Sequence, residues 1–169
     1  LSTTKEFSEV SLAYLAAVHE AAHAVLCVRF KIPFNYVTIE PKDETDGHVA
    51  IHMPRYHNSV WREGRIVINP RIENYFAMLM AGVEATAIYL DLPPAIDLER
   101  GGSGDLKTVK RIIREFYPSQ AKELIERAKQ NARRLVQQPR IREQIEMVAA
   151  DLRISRTLDS STVKMYCKR

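Results

Sequence analysis

Residues 11–30 read SLAYLAAVHEAAHAVLCVRF. Ala, Leu and Val dominate, and neither Pro nor Gly interrupts the run until Pro33, so the stretch is expected to be a helix. It is apolar on nearly every side, which marks a central, buried helix rather than a surface one. Its middle carries His19, Glu20 and His23. Ionisable groups inside a bilayer are costly and need polar partners, so a buried helix is expected here rather than a membrane span. The three residues form H-E-x-x-H. Positions four apart lie one turn apart on the same face, so two imidazoles can converge on one ion. Glu20 is offset by one residue, where a carboxylate can take a proton from an attacking water. Zinc suits nitrogen ligands and lowers the pKa of a water it holds to ~7. A plain pair of core histidines is the alternative, but two imidazoles and a carboxylate buried without a metal leave costly polar groups to satisfy. The sequence therefore predicts a zinc site built on His19 and His23, with Glu20 as the catalytic base.

A catalytic zinc usually takes three protein ligands and keeps one position open. The extended form H-E-x-x-H-x-x-G-x-x-H is absent, because Leu26 stands at the Gly position and Arg29 at the third His. The candidates for the third ligand are His48, His52, Glu73, Glu84 and Asp105. His48 and His52 sit at even spacing on an expected strand and share a face. Glu84 lies within the apolar run from Phe76 to Leu90, where a carboxylate needs a partner. Asp105 opens an expected helix, and an Asp there also serves simply as a cap and a complement to the helix dipole. The residues alone leave all five open.

Working outward, Asn35–Glu40 and Gly47–Met53 read as short strands, the second at an edge, joined by the turn residues Asp43–Gly47. Arg55–Ile68 is ambiguous. Asn69-Pro70 has the form of an N-cap followed by Pro at the first helical position, opening a helix to about Leu90. Arg100–Gly104 (RGGSG) reads as a loop, and its glycines lack the following Lys and Ser/Thr of a phosphate cradle. Amphipathic helices are expected over Asp105–Tyr117 and Ala121–Val136 and again from Pro139, with a short tail of helical character. The fold class is thus mainly α (α+β), with a small sheet or hairpin beside a central helix.

The chain has 169 residues, 46% of them apolar and 27% charged, which is enough for one globular domain with a core of its own. Residues 1–104 would hold the metal helix, the sheet and the second helix, and 105–169 the C-terminal helices. The first residue is Leu1 rather than Met, which fits a processed or shortened chain. No G-x-x-x-x-G-K-[ST] motif occurs, so no nucleotide-driven motor lies within this sequence. The net charge of +4 is too small to imply nucleic acid. Between Asp105 and Arg142 eleven Lys or Arg face four Asp or Glu, but aromatic residues there are few. A solvated helix face with pairs such as Arg111 with Glu115 accounts for this. Two cysteines 140 positions apart, Cys27 and Cys167, do not suggest a disulfide framework and suit a reducing, cytoplasmic setting.

Several further segments, taken in order, resemble the peptidase domain of the FtsH-type ATP-dependent zinc metalloproteases. Besides HEAAH they are YVTIEP (Tyr36–Pro41), GHVAIHMP (Gly47–Pro54), AMLMAGVEATAIY (Ala77–Tyr89), GGSGDL (Gly101–Leu106) and the stretch from Leu124 to Val163. The resemblance implies that Asp105 is the third zinc ligand and Glu20 the general base. It also implies that a polypeptide substrate adds as a strand along His48, Val49, Ala50, Ile51 and His52. There are departures. Ala22 replaces the usual Gly of HEAGH, and Gly104 replaces an Asn before the ligand Asp. Thr86 and Ala87 stand where the family carries two acidic residues, with Glu84 nearby but out of register, so support of the zinc would fall to Glu84 and Thr86. The family's ATPase, which precedes this domain and feeds it unfolded chains, has no counterpart here. The expectation is a zinc-dependent endopeptidase for unfolded or flexible polypeptides that lacks its own ATPase. It would work as a homo-oligomer, hexameric by resemblance, or with a separate ATPase, and without nucleic acid or a membrane segment. The rival is an inactive zinc-binding module for peptide recognition or scaffolding, for which an intact Glu20 has no use.

Overall fold

The computed structural model describes residues 3–41, 47–51, 59–62, 65–90 and 103–168. The described residues form a mainly helical α+β fold. In order they are α1 (Thr3–Phe30), β1 (Phe34–Thr38), β2 (His48–Ile51), β3 (Ser59–Arg62), β4 (Arg65–Ile68) and α2 (Pro70–Tyr89). There follow α3 (Ser103–Phe116), a 3-10 turn at Pro118–Gln120, α4 (Ala121–Val136), α5 (Pro139–Ser155), β5 (Thr157–Asp159) and α6 (Ser160–Lys168).

The central helix is as expected. Ala17, Val18, Ala21, Ala22, Ala24, Val25, Leu26 and Cys27 are all buried, and α1 packs against both α2 and α5. Small side chains on α1 and α2 (Ala21, Ala77, Ala81, Gly82, Ala85) suit the close approach of the two backbones that the site requires. Burial pushes the Cys27 thiol up to about 12, as befits a small core residue, and both cysteines are free. No helix among the described residues is long and apolar enough to cross a membrane.

Helix α1 starts at Thr3, a turn or two before the expected Ser11, because nothing in residues 3–10 breaks a helix. It ends on a left-handed residue. Lys31 has φ 56°, the Ile32 amide donates to the Cys27 carbonyl at 2.8 Å, and the Lys31 amide donates to the Val28 carbonyl at 3.2 Å. This is a glycine position occupied by lysine. Since the left-handed region costs an L-residue roughly 1–2 kcal/mol, Lys31→Gly should stabilise the chain by about 1 kcal/mol. An unchanged or lower denaturation midpoint would count against it.

The sheet is antiparallel in the order β2-β1-β5. Val37 faces Val49 on one side and Leu158 on the other, and Val37 and Leu158 are buried. The register slips between Phe34 and Val37, which leaves Asn35 and Tyr36 exposed. Strand β5 is not evident in the sequence, being three residues of which only Leu158 is apolar and buried. It is held from outside: Arg156 (φ 63°) offers its carbonyl to the Ile39 amide at 2.9 Å, and the hydroxyls of Thr38 and Thr157 meet at 2.7 Å. The ambiguous 55–68 segment contains the antiparallel pair β3–β4, consistent with the β-branched Val60, Ile66, Val67 and Ile68. Asn69 caps α2 as expected, its Oδ1 accepting from the Arg71 amide at 2.9 Å.

The basic helices behave as solvated faces. On α3, Leu106, Val109, Ile112 and Ile113 are buried while Lys107, Arg111 and Arg114 are exposed. Arg111 pairs with Glu115 at 3.8 Å, and Arg127 on α4 pairs with Glu123 at 3.6 Å and with Glu73 on α2.

Candidate metal centre

One turn of α1 places His19 and His23 side by side, ring centroids 4.7 Å apart and planes at 74°. Their Nε2 atoms are 3.1 Å apart. Both point at Asp105, whose Oδ2 lies 3.1 Å from each. Asp105 comes from the first turn of α3, which packs against α2, and its carboxylate is turned toward the imidazoles. Among the described residues these three are the group of ligand-bearing side chains arranged to hold a metal ion.

The other described candidates are engaged elsewhere. Glu73 pairs with Arg127 on α4. His48 accepts from or donates to the Tyr36 hydroxyl at 3.1 Å, on the exposed side of the sheet. His52 lies outside the described residues, as do Gly101 and Gly102 of the loop before α3. Glu84, expected from the sequence to support the zinc, is almost wholly buried and binds Arg133 at 3.1 Å. Burial raises its carboxyl pKa, and the charges that act on it are those of Arg133, Lys129 and Glu126 rather than the histidines. Glu84 is therefore a tie between α2 and α4. Thr86, the other supporting candidate, donates to the Gly82 carbonyl at 2.8 Å.

What orients the His23 imidazole is backbone. The Nδ1–H of His23 donates to the Met78 carbonyl on α2 at 2.8 Å, which leaves Nε2 as the nitrogen that faces Asp105. A carbonyl contact carries no side-chain signature, so the sequence gives no hint of it. Burial alone would lower the pKa of His23, but the Asp105 carboxylate, by charge and by hydrogen bond, lifts it to about 9. Burial works in the opposite sense on Asp105, and the charge and hydrogen bonds of the histidines outweigh it, holding its carboxyl well below the usual range.

Glu20 is buried beside this group. Burial raises its pKa, the two histidines pull it down, Asp105 pushes it up and His48 pulls it down. The chain entering β2 crosses directly over it. A side chain at Gly47 would begin 2.7 Å from the Thr38 carbonyl and 2.8 Å from Glu20 Cγ, so only glycine lets β2 close against Glu20.

The donor set fits a tetrahedral ion. Bonds of 2.0–2.1 Å at tetrahedral angles set neighbouring ligand atoms about 3.3 Å apart, and the three separations here are all 3.1 Å. The space beside the donors is also kept clear, because a Cβ at Gly82 would fall 2.5 Å from His23 Nε2 and 2.6 Å from His19 Nε2. Three protein donors leave a tetrahedral ion one position for water or substrate. No protein-family model and no curated protein matches this chain.

Proposed function

We propose that this chain is a zinc-dependent metallopeptidase that hydrolyses peptide bonds in unfolded or flexible polypeptides, of the FtsH peptidase type that its segments resemble. The observation that supports the reading best is the convergence of His19, His23 and Asp105 from α1 and α3, with the carboxylate of Glu20 buried next to them. His19 Nε2, His23 Nε2 and an oxygen of Asp105 would hold the ion. Zinc bound there would supply a water activated at neutral pH and a Lewis acid for the scissile carbonyl.

The chain's own residues do the rest. Glu20 takes the proton of the attacking water, and its raised pKa makes it a better acceptor than an ordinary surface carboxylate. The same proton then passes from Glu20 to the leaving amine, so one side chain serves as base and acid. His23 is fixed by its hydrogen bond to the Met78 carbonyl. Among the described residues, strand β2 lies at the edge of its sheet, with β1 on its other side. An extended polypeptide can add to that edge through backbone hydrogen bonds along His48–Ile51, which accepts many sequences provided the chain is unfolded.

The test is metal content together with cleavage. Elemental analysis should find close to one zinc per chain, and cleavage of casein or a quenched peptide should stop with a chelator and return with zinc. Peptide binding without cleavage in the zinc-loaded protein would favour the scaffolding alternative. Iron in place of zinc, which a two-histidine, one-carboxylate set also suits, would overturn the zinc assignment.

A further inference from the structure

Gly82 lies inside α2, thirteen residues after Asn69, where glycine weakens a helix relative to alanine. It is buried, and its neighbours say why no side chain stands there. A Cβ built on Gly82 would meet His23 Nε2 at 2.5 Å, His19 Nε2 at 2.6 Å and His19 Cδ2 at 2.7 Å. Carbon atoms in contact settle near 3.5–4.0 Å, so even a methyl group overlaps both imidazoles. The rings cannot simply step aside. His23 is tied to the Met78 carbonyl, both rings face Asp105, and the helix that carries them is buried over the length of Ala17–Cys27.

Met78, Gly82 and Thr86 follow at intervals of four along α2, one face of one helix. Met78 gives its carbonyl to His23, and the Thr86 hydroxyl occupies the Gly82 carbonyl at 2.8 Å. Between them the glycine presents bare backbone to the two donor nitrogens. We propose that Gly82 is the clearance residue of the site: the missing side chain keeps open the space that both imidazoles and an ion between them require. Gly82 is thus a positioning residue carried by α2, a helix that supplies no ligand of its own. This inference rests on the metal-site reading above for its functional consequence, whereas the steric claim stands on the imidazoles alone.

The experiment therefore has two arms. In the first, zinc affinity is measured for the wild-type chain and Gly82→Ala by competition with a chromophoric chelator. The variant should bind at least about 100-fold more weakly, at the upper end of losses seen when groups around a metal are disturbed. In the second, Gly82→Ala is made in the wild-type chain and in His19→Ala/His23→Ala, and both pairs are unfolded without metal. The substitution should lower the denaturation midpoint, or prevent folding, where the imidazoles are present. It should raise the midpoint where they are absent, as alanine for glycine does inside a helix. Zinc affinity equal to wild type, or a loss of stability of the same size in both backgrounds, overturns the proposal. A wild-type chain that takes up no zinc refutes the metal reading, and the second arm still decides whether Gly82 clears the imidazoles.

Discussion

Glu20→Gln should reduce peptide cleavage by a factor of about 10²–10⁴, the range for loss of a general base, while zinc stays bound at wild-type stoichiometry. Glu20 is not one of the three donors that converge, so zinc retention follows from its position beside them. Gln keeps the size and the hydrogen-bonding reach of Glu but cannot accept a proton at any working pH. Gln has nearly the shape of Glu, so the close packing of Glu20 under Gly47 should accommodate it. Burial currently raises the Glu20 pKa, so a neutral amide there relieves a desolvation cost, and the variant should be at least as stable as wild type. Loss of activity with full zinc and full stability would isolate the proton transfer. Activity that survives in Glu20→Gln would remove Glu20 from the mechanism and with it the present reading of the motif.

How far the sequence spoke depended on whether a signal was local. The helix around HEAAH was legible because composition and the absence of breakers agree over twenty residues. The start of α2 was legible because a capping Asn69 followed by Pro70 is itself a local signal. That His19 and His23 share one face follows from spacing alone, while the Met78 carbonyl and Asp105 set the rings in place. Asp105 was different. Eighty-two positions separate it from His23, and an Asp at a helix start has a sufficient local explanation as a cap. From the residues alone it was one candidate in five, and its proposal as third ligand came from resemblance. Glu84 misled in the opposite direction, because a carboxylate in an apolar helix calls for a partner without saying which. The partner is Arg133, two helices on in the chain, and nothing local to α2 points to it. Gly47, Gly82 and the Met78 carbonyl were invisible, because what they contribute is an absence of side chain or a backbone atom. Strand β5 was missed because three residues carry too little pattern, its pairing being imposed by Arg156 and the threonines of two strands.

The metal-free chain should lose stability as pH rises from about 6 to 9, and zinc should abolish that loss. His23 titrates near 9 in the folded chain against 6.5 for a free imidazole. A group raised in this way contributes stability that is complete below its unfolded value and disappears as pH passes through its folded value. Glu20 and Glu84, both raised by burial, act in the same sense, their contribution fading as pH climbs above the ordinary carboxylate range. Asp105 is lowered, so its contribution is present above the ordinary Asp range and is lost only as pH falls well below it. The metal-free protein is therefore most stable in mildly acidic solution, where Asp105 is charged and His23 still protonated. Across the His23 titration the loss should be on the order of 3 kcal/mol. Zinc cancels the His23 dependence, because its ligand is the deprotonated Nε2 and it competes with the proton for the same nitrogen. The gap in denaturation midpoint between zinc-loaded and chelated protein should widen steadily from pH 6 to pH 9. Asp105→Asn should flatten the metal-free profile, since it removes the charge that raises His23, and should weaken zinc binding in the same protein. A chelated wild-type chain whose stability stays level or increases across this range would mean that the imidazolium–carboxylate contact does not exist in solution. The three donors would then be brought together by the metal rather than held ready for it.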